Sequence, residues 1–141
     1  NLIKYFNENK FHYVVVDAKI EDELKEFEGE EKDMMRHELG AHDNGVDNLI
    51  KAGYDLLGLD TYLTTGEMET RAWTIKKGST APRAAAAIHT DFETKFIRAE
   101  VVAYEDLIAA GNMAEARNKG TLRTEGKEYI VKDGDVIEFR I

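Results

Sequence analysis

The fold of the second half of this chain is decided by the stretch Thr70-Arg-Ala-Trp-Thr-Ile-Lys-Lys-Gly-Ser-Thr-Ala-Pro-Arg-Ala-Ala-Ala-Ala-Ile88. Residues 70–76 alternate as the residues of a half-buried strand do. A helix then follows, with Pro82 as its second residue and Ser79 or Thr80 as its N-cap. The stretch therefore predicts a β-strand that leads directly into an α-helix.

The residues that follow add more strands around this helix. A strand is predicted over 97–102, with alternate residues from Ile97 to Val101 on one face. A short helix follows at about 104–110, and a final strand covers 136–141 after a tight turn. Strands that surround a short helix, with a terminal strand after a turn, describe an α+β domain of the β-grasp (ubiquitin-like) type.

The first half has a different character. The apolar run over 12–16 predicts a strand buried on both faces, as in a parallel sheet. Helices are predicted over 21–28, 30–39 and 46–57, the last with Gly58 as its C-terminal stop. Because a lone strand cannot satisfy its backbone hydrogen bonds, we infer that this half is the trailing end of a larger α/β domain.

Composition limits the class of protein. The chain has 141 residues, of which 43% are hydrophobic and 33% are charged, as in an ordinary globular protein. It has no cysteine, which excludes disulfides and thiolate metal sites. No apolar run approaches the roughly 20 residues of a membrane helix, and no signal peptide opens the chain. We therefore expect a cytoplasmic protein that has no membrane partner.

The net charge of −9 is distributed unevenly. Residues 1–69 carry 7 Lys+Arg against 17 Asp+Glu, and residues 70–141 carry 12 against 11. The first half should therefore repel polyanions, and only the second half could approach one. Its net charge of +1 predicts few phosphate contacts, so a ribosome or protein surface suits it better as a partner than free RNA does.

Four segments, in order, resemble the YchF family of Obg-related P-loop ATPases. They are Gly53-Tyr-Asp-Leu-Leu-Gly-Leu-Asp-Thr-Tyr-Leu-Thr-Thr-Gly66, Arg71-Ala-Trp-Thr-Ile-Lys-Lys-Gly78, Ala87-Ile-His-Thr-Asp-Phe-Glu-Thr-Lys-Phe-Ile-Arg-Ala-Glu-Val101 and Tyr129-Ile-Val-Lys-Asp-Gly-Asp-Val-Ile-Glu-Phe139. The resemblance implies that residues 67–141 form a TGS domain. It implies that residues 1–66 are the C-terminal remnant of a P-loop nucleotide-binding domain, with its last strand and helices.

A shorter match lies after the predicted strand of the first half. Asp17-Ala18-Lys19 resembles the Ser-Ala-Lys motif of these proteins, whose backbone helps to hold the purine base, although Asp17 replaces the usual Ser. The resemblance implies that the full-length parent is an ATPase or GTPase that uses ATP or GTP with Mg²⁺. It also implies an association with ribosomes.

The chain lacks the sequence motifs of phosphoryl transfer. No Gly-x4-Gly-Lys-Ser/Thr and no Asn-Lys-x-Asp occurs, so this part should not hydrolyse nucleotide and needs no cofactor of its own. His37 and His42 are five residues apart, which is the wrong spacing for two metal ligands on one helix face. His89-Thr90-Asp91 predicts a turn or cap rather than a catalytic pair. We therefore expect no catalytic residue and no metal site.

Basic residues around one tryptophan are the candidates for contacts with a partner. Trp73 either packs in the core or stacks beside the basic residues. The candidate residues are Arg71, Trp73, Lys76, Lys77, Arg83 and Arg98.

Three functions remain open for such a domain. The first is a binding module for the ribosome or a translation factor. The others are a regulatory domain that packs on its own ATPase domain, and an RNA-binding module. A ubiquitin-like modifier is excluded, because the chain ends Glu138-Phe-Arg-Ile141 without the Gly-Gly that a modifier needs.

Overall fold

The structure, a computed structural model, describes residues 2–41, 44–66 and 69–141. The chain divides into two compact units, the first of which extends to Leu57 and the second of which begins at Gly58. None of the helices in the described ranges is long and apolar enough to cross a bilayer.

The first unit is helical. Its helices are α1 (Leu2–Glu8), α2 (Ala18–Glu23), α3 (Gly29–Glu38) and α4 (Gly45–Leu57), with a 3₁₀ turn at Leu24–Glu26. The Glu21 carboxylate joins three of them, because one of its oxygens accepts from Arg36 Nη1 at 2.8 Å and from the Gly45 N–H at 3.1 Å. Leu24 is the one fully buried apolar residue among the described residues of this unit.

The second unit is built on a five-stranded sheet. The strands are β1 (Leu59–Thr65), β2 (Thr70–Lys76), β3 (Arg98–Ala103), β4 (Arg123–Glu125) and β5 (Asp135–Arg140). Their order is β2-β1-β5-β3-β4, in which only β1 and β5 run parallel and the other neighbours are antiparallel. This arrangement of strands and short helices confirms the predicted β-grasp fold.

Four short helices cover the two faces of the sheet. They are α5 (Ala81–Ala85), α6 (Asp91–Lys95), α7 (Tyr104–Ala110) and α8 (Met113–Asn118). The main core joins Ala81, Ala84 and Ala85 of α5 to inward residues of the sheet, because small side chains allow the helix to approach closely. A second cluster around Val102, Ala116 and Val136 packs one end of the opposite face. Because side chains alternate along a strand, β3 and β5 each contribute to both clusters.

Several sequence predictions match the structure closely. Helix α4 ends where Gly58 adopts a φ of +61°, a conformation that glycine favours. Strand β2 has the predicted bounds, and Pro82 is the second residue of α5 with Thr80 at the N-cap position. The structure also shows a cap on α8, where the Asn112 side chain accepts from the Glu115 N–H at 2.9 Å.

Three expectations differ from the structure. Residues 12–16 do not form a strand, and no strand occurs in the described part of the first unit that could pair with them. Residues 59–65, which the sequence assigns to the junction, form β1, so the second unit begins at Gly58 rather than at residue 67. Ile97 precedes β3 and is 62% exposed instead of facing the core.

Candidate partner-binding site

An arginine and a tryptophan stack on the face of β2 that faces the main core. The Arg71 guanidinium lies 4.3 Å from the centroid of the Trp73 ring, and its side chain is 56% exposed. Trp73 Nε1 donates to Thr64 Oγ1 at 2.9 Å, and the ring packs against the main core. The tryptophan therefore packs against the core and also binds the Arg71 guanidinium, through a cation–π contact that contributes about 0.5–1 kcal/mol.

Two further arginines lie at the same end of the sheet. Because β2 and β3 begin where β1 and β5 end, Arg71 shares this end with the first residue of β3, Arg98, and with the last residue of β5, Arg140. Arg98 and Arg140 are directly opposite each other in the β3–β5 register. We call Arg71, Arg98 and Arg140 the basic sheet end.

The other predicted cations lie elsewhere. Lys76 ends β2 and Lys77 follows it, so both are at the opposite end of the sheet from Arg71. Lys77 Nζ is 4.0 Å from the Asp60 carboxylate. Arg83 lies on α5 and its Nη1 is 3.3 Å from Glu93 Oε2. Of the six candidates, the structure therefore brings only Arg71, Trp73 and Arg98 to one end of the sheet.

A chain of ion pairs runs through the basic sheet end. Glu100 is 8% exposed and accepts from Arg117 Nη2 at 2.7 Å, with Arg140 Nη2 at 3.6 Å. Arg140 Nη1 is in turn 2.9 Å from Glu138 Oε1. Sequence reasoning missed the two glutamates, since only the pairing of β3 with β5 places them beside the arginines.

A second polar cluster forms at the start of β5, at the opposite end of the sheet. The buried Asp135 carboxylate accepts from the Tyr129 hydroxyl at 2.7 Å and from the Lys132 N–H at 2.9 Å. Arg123 Nη2 donates to the same hydroxyl at 3.2 Å. Burial, and then the hydrogen bond to Asp135, raise the pKa of Tyr129 to about 12. The cluster borders a pocket of about 380 Å³. The hydrogen bonds of the cluster fix the turn into β5.

The predicted nucleotide-base segment caps a helix in the first unit. Asp17 Oδ1 accepts from the Lys19 N–H at 3.0 Å and from the Ile20 N–H at 3.1 Å, so it is the N-cap of α2. Ala18 is exposed, and Lys19 Nζ lies 3.8 Å from Glu23. One turn later, the hydrogen bond from Arg36 holds the pKa of Glu21 below its ordinary value.

The described histidines are not grouped in a metal or catalytic site. His89 Nδ1 accepts from the Asp91 N–H at 3.2 Å, which is a turn contact. His37 lies on α3, whereas His42 falls outside the described residues. Within residues 2–41, 44–66 and 69–141, no three His, Cys, Asp or Glu side chains are grouped as a metal would require.

Known proteins match almost the whole chain. A family model, YchF-GTPase_C, described as a protein of unknown function (DUF933), matches residues 59–141. The "Ribosome-binding ATPase YchF" of Bacillus subtilis is 63% identical over 127 residues, and that of Haemophilus influenzae is 54% identical over the same length. Each match covers 90% of this chain and 35% of the relative, so the chain spans about a third of their length.

A solved structure agrees with these matches. The YchF GTPase of Schizosaccharomyces pombe superimposes with a TM-score of 0.84 at 35% identity, covering 99% of this chain and 37% of that protein. The family model covers the whole β-grasp unit from the first residue of β1. The chain therefore belongs to the YchF family and corresponds to its C-terminal part.

Proposed function

We propose that this chain is the ribosome-docking part of a YchF-type P-loop ATPase. In this proposal the second unit is a TGS domain, which binds the ribosome through the basic sheet end. The first unit is the last part of the P-loop domain. Two relatives with more than half of their aligned residues identical are named ribosome-binding ATPases, which supports the proposal. Such a role would place the chain in the cytoplasm.

The arginine–tryptophan stack is the observation that carries the proposal. Arg71 is exposed, yet it stacks on the Trp73 ring, which the Thr64 hydroxyl holds by a hydrogen bond on a rigid sheet. A cation held in place loses less conformational entropy on binding than one on a free side chain. Arg98 and Arg140 lie at the same end of the sheet but, because side chains alternate, on the face opposite Arg71, so such a partner would contact all three around the strand ends.

Nucleotide turnover is not part of this proposed role. Hydrolysis needs a phosphate-binding loop, and the sequence contains none. ATP or GTP with Mg²⁺ would be held by the rest of a longer protein, where the nucleotide supplies the phosphoryl group. This chain would contribute only Asp17, Ala18 and Lys19 beside the base. A turnover assay on the purified chain should give no activity above that of a mock purification.

Charge favours a ribosomal surface over free RNA. Residues 58–141 carry 12 Lys+Arg against 14 Asp+Glu, a net charge of −2. Since the affinity for a polyanion rises with the number of neutralised phosphates, this unit has a weak general attraction for RNA. Local contacts must supply most of the affinity and the specificity.

Co-sedimentation with purified ribosomes tests the docking role. The chain should appear in the ribosome pellet, and Arg71→Glu should weaken binding by about tenfold, as loss of a contact of about 1.4 kcal/mol does. The matched control is Lys132→Glu, because Lys132 is exposed and precedes β5 at the opposite end of the sheet. The control should bind within about twofold of the wild type. Equal losses in both variants would point to net charge alone, and a chain that stays in the supernatant would refute the role.

A further inference from the structure

Two arginines face each other where β3 begins and β5 ends. Arg98 and Arg140 are register partners on neighbouring strands, and alternation puts them on the same face. Like charges in directly opposite positions destabilise a sheet. This pair therefore needs compensating negative charge.

The chain supplies compensation for only one of the two. Arg140 is 2.9 Å from Glu138 and 3.6 Å from Glu100, and Glu100 also pairs with Arg117 at 2.7 Å. Arg98 is exposed, and no carboxylate within the described residues forms an ion pair with it. Arg117 and Arg140 thus share two glutamates, and the positive charge of Arg98 is left without a paired carboxylate among the described residues.

Two exposed apolar residues adjoin the arginine pair along the chain. Ile97 precedes Arg98 and is 62% exposed, and Ile141 follows Arg140 and is 47% exposed. The Ile97 N–H donates to the Arg140 carbonyl at 2.8 Å, which holds the two strand ends together beyond the last paired residues. This rigid sheet end therefore has a guanidinium without an ion pair to the described residues on one face and, because side chains alternate, two large exposed isoleucines towards the other.

We propose that this end of the sheet docks a protein segment in which an acidic side chain is flanked by apolar residues. Its carboxylate would pair with Arg98, whose planar guanidinium suits bidentate contact with a carboxylate. The apolar neighbours would cover Ile97 and Ile141. The proposal rests on the ribosome-docking role and specifies that the partner is a ribosomal protein rather than ribosomal RNA.

The local charges favour protein over RNA. Glu138 and Glu100 lie beside the two arginines, so successive phosphates of a nucleic acid strand would approach carboxylates as well as guanidinium groups. A single carboxylate can occupy the position in front of Arg98 without this repulsion. Exposed isoleucines match an apolar partner residue, whereas the backbone of an RNA strand offers them nothing comparable.

Photo-crosslinking from the sheet end distinguishes the two partners. Ile141 is replaced by p-benzoylphenylalanine, and the 141-residue chain is irradiated while bound to purified ribosomes. The product should be destroyed by protease and resist ribonuclease, because the neighbouring molecule is a ribosomal protein. A product that ribonuclease destroys would overturn the proposal in favour of RNA. Bound chain that forms no product with the ribosome would also overturn it.

Charge reversal provides the second measurement. Arg98→Glu should weaken ribosome binding by about tenfold or more, whereas Lys132→Glu should stay within about twofold of the wild type. Neither variant should lower the thermal unfolding midpoint, because both side chains are exposed and Arg98→Glu replaces a like-charge pair with Arg140 by a pair of opposite charges. If the wild type binds and Arg98→Glu binds equally well, this site is wrong while the docking role stands. If the wild type does not bind, the docking role fails and the site fails with it.

Discussion

Replacing Tyr62 tests whether β1 is an integral part of the β-grasp unit. Tyr62 lies on β1 with none of its surface exposed. Its ring packs edge-on against Phe139 of β5 at a centroid distance of 5.7 Å, and its hydroxyl donates to the Ala84 carbonyl at 2.9 Å. It therefore connects β1 to β5 and to α5.

The expected cost follows from these contacts. Tyr62→Ala removes a fully buried aromatic ring, which costs about 3–5 kcal/mol in comparable cores. Tyr62→Phe keeps the ring and removes one hydrogen bond, which costs about 1 kcal/mol. The Ala84 carbonyl is not left unpaired in that variant, because it also accepts from the Ala87 N–H at 3.0 Å. The alanine variant would thus lose a large part of the 5–15 kcal/mol that is typical of a domain.

Urea unfolding followed by tryptophan fluorescence measures both costs. Trp73 is the single tryptophan of the sequence and is the register partner of Tyr62, so its emission reports on this unit. The free energy of unfolding should fall by about 3–5 kcal/mol in Tyr62→Ala and by about 1 kcal/mol in Tyr62→Phe. If Tyr62→Ala costs no more than Tyr62→Phe, then Tyr62 does not anchor the fold and β1 is dispensable.

Three further expectations concern the domain limits and two carboxylates, those of Glu21 and Asp135. A fragment of residues 58–141 should fold and resist trypsin, whereas residues 67–141, which lack β1, should be digested rapidly; a stable 67–141 core would contradict the boundary. Because the pKa of Glu21 is lowered, its ionised carboxylate stabilises the first unit at neutral pH. This stabilisation is lost as the pH falls below about 4.5 through the pKa of the folded state. Glu21→Gln should therefore speed hydrogen exchange of the Gly45 amide at pH 7, and the acceleration should disappear as the pH falls through the folded pKa of Glu21; equal acceleration throughout that pH range would refute the ion pair as the cause. Asp135→Ala leaves the part-buried Tyr129 hydroxyl and the Lys132 N–H without their acceptor, so the unfolding free energy should fall by about 1–3 kcal/mol, measured by urea titration.

The sequence predicts those elements whose signal is local. Helix α4 has an apolar period and a glycine stop, and β2 and α5 have strand alternation and a proline at the start of the helix. Strand β1 has no such signal, because it is covered on both faces. Tyr62 packs in the main core and the adjacent Leu63 in the second cluster, which removes the alternation of apolar and polar residues.

The apolar run over residues 12–16 shows the opposite error. Its β-branched residues favour a strand locally, but a strand forms only where a neighbour accepts its hydrogen bonds. The described part of the first unit contains no strand that could do so. Local propensity alone therefore does not determine whether residues 12–16 form a strand.

The candidate site was only partly predictable for a related reason. Arg71 and Lys76 differ in parity along one strand, so the sequence could have shown that they lie on opposite faces. The position of Arg98 beside Arg140 depends on the pairing of β3 with β5, which are far apart in the chain. Charge composition indicated a basic surface, but only the strand order shows which cations share one end of the sheet.

Strand order also explains why this end suits docking. β3 and β5 are interior strands, so each is hydrogen-bonded on both sides and their ends are fixed relative to each other. The main core occupies one face, and the second cluster covers only one end of the other face. A partner at the basic sheet end would therefore meet arginines whose backbone positions are fixed, without displacing core residues, and little backbone ordering entropy would oppose binding. A net charge of −2 on the unit is compatible with this mode, because recognition depends on local geometry instead of long-range attraction.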